Sequence, residues 1–146
     1  MRIQKLLTFL FALLLVTSMT SCDKDKDKEP TNKDILTSSI WKGESIWAYG
    51  SDISDLFMDE LGYDIKKNTV KFDKAGTYVD SYERSSLNGT WEFADNDKSI
   101  IFDKGTDDEY TATVLMLTDK ELRMEQTIEP EENDEEPLTL EVRFIR

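Results

Sequence analysis

Val70-Lys71-Phe72-Asp73-Lys74-Ala75-Gly76-Thr77-Tyr78 carries the pattern that decides the fold. Val70 and Phe72 alternate with polar neighbours, as they must if one face of a strand is buried, because successive strand side chains point to opposite faces. Lys74-Ala75-Gly76 then turns the chain, and Tyr78 and Tyr82 resume the alternation. The same grammar continues downstream. Leu87-Asn88-Gly89 reads as another turn, Trp91 and Phe93 alternate, and Asp95-Asn96-Asp97 turns into Ile100 and Phe102. Asp103 to Glu109 reads as a polar loop before Tyr110-Ala112-Val114-Met116. Thr118-Asp119-Lys120 turns into Leu122 and Met124. The acidic Glu129 to Glu136 stretch then leads into Leu138-Leu140-Val142-Phe144.

Upstream, Ile40 to Tyr49 reads as a first strand whose even spacing puts Trp41 and Trp47 on one face if it is unbroken. From Ser51 to Leu61 the period changes. Ile53, Leu56, Phe57 and Leu61 form one stripe of a short amphipathic helix, with Ser51 or Asp52 as cap and Gly62 as the left-handed residue that ends it. Such a helix serves most simply as a lid on one end of a sheet or barrel, and otherwise as a partner-binding element. The fold class that follows is all-β: an antiparallel up-and-down meander of about eight strands closing into a barrel, with one short helix after the first strand. Closure is favoured because it removes unpaired strand edges.

The amino-terminal segment has another character. Arg2 and Lys5 precede an apolar run from Leu6 to Val16, about eleven residues, which suits a secretory signal and falls short of the ~20 needed to span a bilayer. Small residues follow, then Cys22, the chain's single cysteine. Met19-Thr20-Ser21-Cys22 resembles the lipobox of bacterial lipoproteins. That resemblance implies cleavage before Cys22, a diacylglyceryl thioether on its thiol and a further acyl chain, such as palmitate, on its amine. Two or three chains make a firm membrane anchor, since each buried CH₂ contributes ~0.8 kcal/mol. The alternating charges of Asp23 to Lys33 have nothing to bury and read as a solvated tether. The expected organisation is residues 1–21 as signal peptide, 22–34 as lipidated cysteine and disordered tether, and 35–146 as the barrel domain. The expected location is the cell envelope, on the periplasmic or outer face of an outer membrane, since the acidic residues after the cysteine resemble those of surface-exported Bacteroidota lipoproteins.

Composition narrows the chemistry. The net charge is −13 and becomes more negative once the two basic leader residues are removed, so nucleic acid is not an expected partner. A lone cysteine cannot form an internal disulfide, and the domain is expected to be a monomer. The chain has no histidine. Ser-His-Asp, Cys-His and HExxH arrangements are therefore impossible, and no carboxylate pair stands out as an acid/base couple. The expectation is a protein without catalytic residues, metal or cofactor. The Glu129 to Glu136 loop invites calcium, but it lacks the spaced Asp-x-Asp-x-Asp-Gly ligands of a dedicated site and is framed by Pro130 and Pro137.

Residues Leu36 to Arg146 resemble the lipocalin-like domain of small Bacteroidota lipoproteins. The likeness rests on Leu36-Thr37-Ser38-Ser39-Ile40-Trp41 opening the first strand, on Phe72 to Tyr78, on Asn88-Gly89-Thr90-Trp91-Glu92-Phe93, and on Thr118-Asp119-Lys120-Glu121-Leu122. Ser39 stands where lipocalins usually have the glycine of their Gly-x-Trp motif. The resemblance implies a calyx that holds a small apolar ligand, and carries no catalytic set. Trp41, Phe72, Tyr78, Trp91, Phe93, Phe102 and Tyr110 are the candidate interior binding residues. The same aromatics are large enough to fill a small barrel, and a filled barrel points instead to a protein-interaction or inhibitor module of the envelope.

Overall fold

A computed structural model describes residues 28–129 and 136–146. The leader, Cys22, the first part of the tether up to residue 27, and residues 130–135 of the acidic loop lie outside the described residues. The strands are β1 (Ile40–Ala48), β2 (Ser51–Asp52), β3 (Asn68–Phe72), β4 (Thr77–Tyr82), β5 (Ser85–Ala94), β6 (Ser99–Phe102), β7 (Tyr110–Leu117), β8 (Glu121–Ile128) and β9 (Leu138–Ile145). From β3 to β9 each strand pairs antiparallel with the next, and β3 also pairs with β1. The seam closes where β1 pairs with β9, from Lys42 opposite Ile145 to Trp47 opposite Glu141. The result is a closed eight-stranded up-and-down barrel, with β2 as an extra strand on the end of β1.

The expected alternation fills the inside. Trp41, Val70, Phe72, Tyr78, Trp91, Ile100, Phe102, Ala112, Leu122 and Phe144 all point inward and are buried. Phe72 packs edge-on against Trp91 at 5.4 Å between ring centroids, and Phe102 edge-on against Tyr78 at 5.3 Å. Edge-to-face contacts of this kind add to the burial of the rings themselves. Tight turns join the strands where punctuation is densest. Gly76 at φ 89° closes the β3–β4 turn, and Asp95, Asn96 and Asp97 all take positive φ between β5 and β6. Asn and Asp tolerate this region better than other non-glycine residues.

Helix α1 (Asn32–Thr37) plugs one end of the barrel. Thr31 caps it in a reciprocal capping box with Asp34, and Leu36 is driven fully into the core. Trp41 Nε1 donates to the Leu36 carbonyl at 2.8 Å. The Arg146 guanidinium lies 4.6 Å over the Trp41 ring and donates to Ile35 O and Ser38 Oγ. Ordered structure therefore reaches back through the expected 34/35 boundary: Asn32 to Asp34 are helical rather than tether, and Leu36-Thr37 end this helix rather than open β1.

Helix α2 (Ser54–Leu61) lies towards the opposite end and ends on left-handed Gly62, as expected. Its start differs from the sequence reading. Ser51 and Asp52 belong to β2, and Ile53 occupies the cap position, while Asp52 Oδ1 accepts from both Ser54 N and Ser54 Oγ. A single 3₁₀ turn (Ile65–Lys67) leads into β3.

Three further expectations are corrected. A bulge between Gly43 and Ser45 reverses the parity of β1, so Ile46 and Ala48 face inward and Trp47 outward, where Arg143 stacks on it at 3.8 Å. Gly43 is required beside this bulge, because a Cβ there would strike the Ile65 carbonyl. A second bulge between Val114 and Met116 leaves Met116 on the outside. Finally, Leu87-Asn88-Gly89 is not a turn. The chain reverses at Glu83-Arg84, and Gly89 lies in mid-strand opposite Tyr78.

Candidate functional site

The interior is divided in two. Next to α1 it is solid, packed by Leu36, Trp41, Trp91, Ile100 and Leu122. A second cluster of Ile46, Ala48, Ile65 and Leu140 forms at the other end, with Ile53, Phe57 and Tyr63 packed on it. Between the clusters is a partly open chamber of about 230 Å³, lined mainly by apolar side chains. An eight-stranded barrel is just wide enough to leave such a space when its inner residues do not all reach across. Here Ala112 and Val70 are the small members of the wall.

Of the seven aromatics expected to line the interior, Phe72, Tyr78, Phe102 and Tyr110 border the chamber. Trp41, Trp91 and Phe93 do not. Trp41 is sealed under α1, and Trp91 Nε1 is spent on the Asp73 and Thr77 carbonyls of the β3–β4 turn at 3.1 and 3.0 Å. Phe93 packs edge-on against Trp91 at 5.4 Å.

Polar residues that alternation alone did not single out, Asn68, Asp80, Glu125 and Gln126, also line the chamber. Asn68 and Asp80 occupy inward positions of β3 and β4, in register with Phe72 and Tyr78. Asn68 Nδ2 donates to Asp80 Oδ1 at 2.5 Å and to Ser81 O at 3.3 Å. Their period-two spacing from Phe72 and Tyr78 was the available signal. Phe57 hangs from α2, edge-on to Tyr63 at 6.5 Å, and Tyr63 in turn stacks on Tyr82 at 4.8 Å. The Tyr82 hydroxyl fixes this corner by accepting from Asp64 N at 3.0 Å.

The electrostatics follow from burial. Desolvation pushes the Asp80 carboxyl up, and the Asn68 hydrogen bond opposes it. Burial, and after it the Asp80 charge, push the Tyr63 and Tyr110 phenols up to about 12. Both phenols are therefore neutral at ordinary pH. Burial and its hydrogen bond to Asp103 Oδ2 at 2.8 Å also raise Tyr78. Asp103 Oδ1 accepts from Thr90 N at 2.8 Å, so this carboxylate ties β4, β5 and the end of β6 together. Gly89 is needed under that corner, since a Cβ would meet both the Tyr78 ring and the Asp103 carboxylate.

No cluster of three or more metal-ligating side chains occurs among the described residues. Among them, too, no helix is long and apolar enough to cross a membrane. Fold and chamber together define a closed β-barrel, plugged at one end and hollow towards the other. Comparison of the sequence with family models and with curated proteins finds no match.

Proposed function

We propose that this chain is a lipoprotein of the bacterial envelope, held to an outer membrane through lipid on Cys22, whose lipocalin-like barrel binds one small, largely apolar molecule. The observation that carries the binding reading is the chamber of about 230 Å³ between Phe57 and Phe72, bordered by Tyr78, Phe102 and Tyr110. A cavity of ~150 Å³ lined by apolar groups stays dry and takes benzene, so this one suits a ligand of about nine or ten non-hydrogen atoms. It lies below the ~300–1,000 Å³ of drug-sized pockets, which argues against a long lipid. The anchor reading is supported by the leader and by Met19-Thr20-Ser21-Cys22. The reading is one of binding rather than catalysis, since the groups around the chamber include no nucleophile with a base beside it.

A second reading, a module that docks on another envelope or host protein, is favoured by one specific observation. Helix α2 buries none of its residues and exposes Leu56, Met58 and Leu61. Native mass spectrometry of the protein purified from its own cells separates the two. A copurifying small molecule at one per chain supports the binder. A ligand-free chain associated with a protein that is released by charged substitutions at Leu56 and Leu61 supports the module.

A further inference from the structure

Asp80 and Glu125 both line this mainly apolar chamber, but among the described residues only the Asp80 carboxylate is held there by a side-chain hydrogen bond, from Asn68. Asp80 projects from the inward register of β4, between Tyr78 and Tyr82. Asn68 occupies one of its oxygens, and among the described residues the other takes no protein hydrogen bond. No lysine or arginine pairs with it among those residues either. The ion pairs there join Lys67 to Glu83, Lys74 to Asp34, Lys104 to Glu92, Arg123 to Glu121 and Arg143 to Glu141, away from the chamber lining.

Asp80 is half-buried, and even partial withdrawal of a carboxylate from water without a counter-charge is unfavourable, with one hydrogen bond from a neutral amide offsetting only part of the cost. An aromatic surround makes the same position favourable for a positive guest. The electron-rich faces of tyrosine and phenylalanine attract an ammonium group, and they do so more strongly where water is excluded. Tyr63, Tyr110 and Phe102 bring such rings to the chamber, with Tyr110 stacked on Phe102 at 4.6 Å. The net charge of −13 also raises the local concentration of cations over that of anions.

We infer that the chamber takes a small organic cation, a protonated amine on an apolar body, with Asp80 as its counter-ion. This rests on the reading of the barrel as a small-molecule binder and names the chemical class of the ligand. The apolar body fills the space beside Phe72, Ala112 and Leu140, and the ammonium group donates to Asp80.

The test is calorimetric titration of the purified full chain with three size-matched probes: 2-phenylethylamine, 2-phenylethanol and phenylacetate. The amine is expected to bind one to one, about tenfold or more tighter than the alcohol, with phenylacetate weakest. In Asp80→Asn the amine should fall to the affinity of the alcohol while the alcohol itself is unchanged. Ala112→Leu, which fills the chamber without touching any charge, should abolish binding of amine and alcohol alike, and it decides the question should Asp80→Asn fail to fold. Equal binding of amine and alcohol to the wild type overturns the cation inference and leaves the cavity reading standing. An amine preference that survives Asp80→Asn or Ala112→Leu also overturns it, because Glu125 or the general surface charge is then responsible. Binding of none of the three probes removes both readings.

Discussion

Trp41→Phe tests how the barrel is sealed. Trp41 is fully buried, its Nε1 is the donor to the Leu36 carbonyl, and its ring carries the Arg146 guanidinium that also reaches Ile35 O and Ser38 Oγ. Phenylalanine keeps an aromatic ring in place but removes the N–H and part of the packed area. Leaving the Leu36 carbonyl unpaired in the interior costs about 1–3 kcal/mol. The smaller ring loses on the order of 1 kcal/mol of burial, and a few tenths more from a weaker cation–π contact. The expected loss is therefore about 2–4 kcal/mol, a large share of the ~5–15 kcal/mol typical of a domain. Urea denaturation followed by far-ultraviolet circular dichroism measures it. Arg146→Ala, made alone and with Trp41→Phe, should show a coupling of at least ~0.5 kcal/mol, as contacting residues do. A single-variant loss below about half a kcal/mol, with no coupling, would refute the account of α1 as a plug held by Trp41 and Arg146.

Gly89→Ala forces a methyl group against the Tyr78 ring and the Asp103 carboxylate, and should destabilise by about 1–3 kcal/mol in the same denaturation assay. Tyr63 and Tyr110 have phenols raised from the ordinary value near 10 to about 12, so the folded state holds these protons more tightly than the unfolded chain. Their contribution is complete below pH 10 and is lost as pH climbs towards 12. Alkaline unfolding, watched by tyrosinate absorbance, should accordingly release both protons with the loss of structure; free titration near 10 in the intact fold would contradict the burial argument. Cys22→Ala should prevent incorporation of labelled palmitate and move the protein out of the membrane fraction, and persistent labelling would disprove the anchor.

Much of the barrel could be read from alternation because its inner face is paved with large apolar residues at period two. The turns after Phe72, Ala94 and Phe102 fall where glycine, asparagine and aspartate cluster, and the one after Leu117 holds Thr118-Asp119-Lys120. Asn88-Gly89 misleads for a physical reason. The pair is the strongest short-range hairpin signal, yet here glycine is needed in mid-strand so that the Tyr78 ring can lie across it. The bulge after Gly43 depends on pairing with β9, which no local window contains, and it is what separates Trp47 from Trp41. Helix α1 was hidden in a run of charges, although Thr31-x-x-Asp34 before Leu36 carries a capping signature. In the chamber, aromatic type proved a weaker guide than register. Trp41 and Trp91 face inward but lie under the plug, whereas Asn68 and Asp80, polar and therefore passed over, share the parity of Phe72 and Tyr78.

The β1–β9 seam has a consequence for biogenesis. Lys42 finds Ile145, and Trp47 finds Glu141, only after every intervening hairpin has been synthesised. No shorter piece of the chain can complete the ring, and this one distant pairing carries a loop-closure entropy that the adjacent hairpins do not. During synthesis the growing chain therefore stays open until the ninth strand emerges. Until then β1 presents an unpaired edge on the side that β9 will cover.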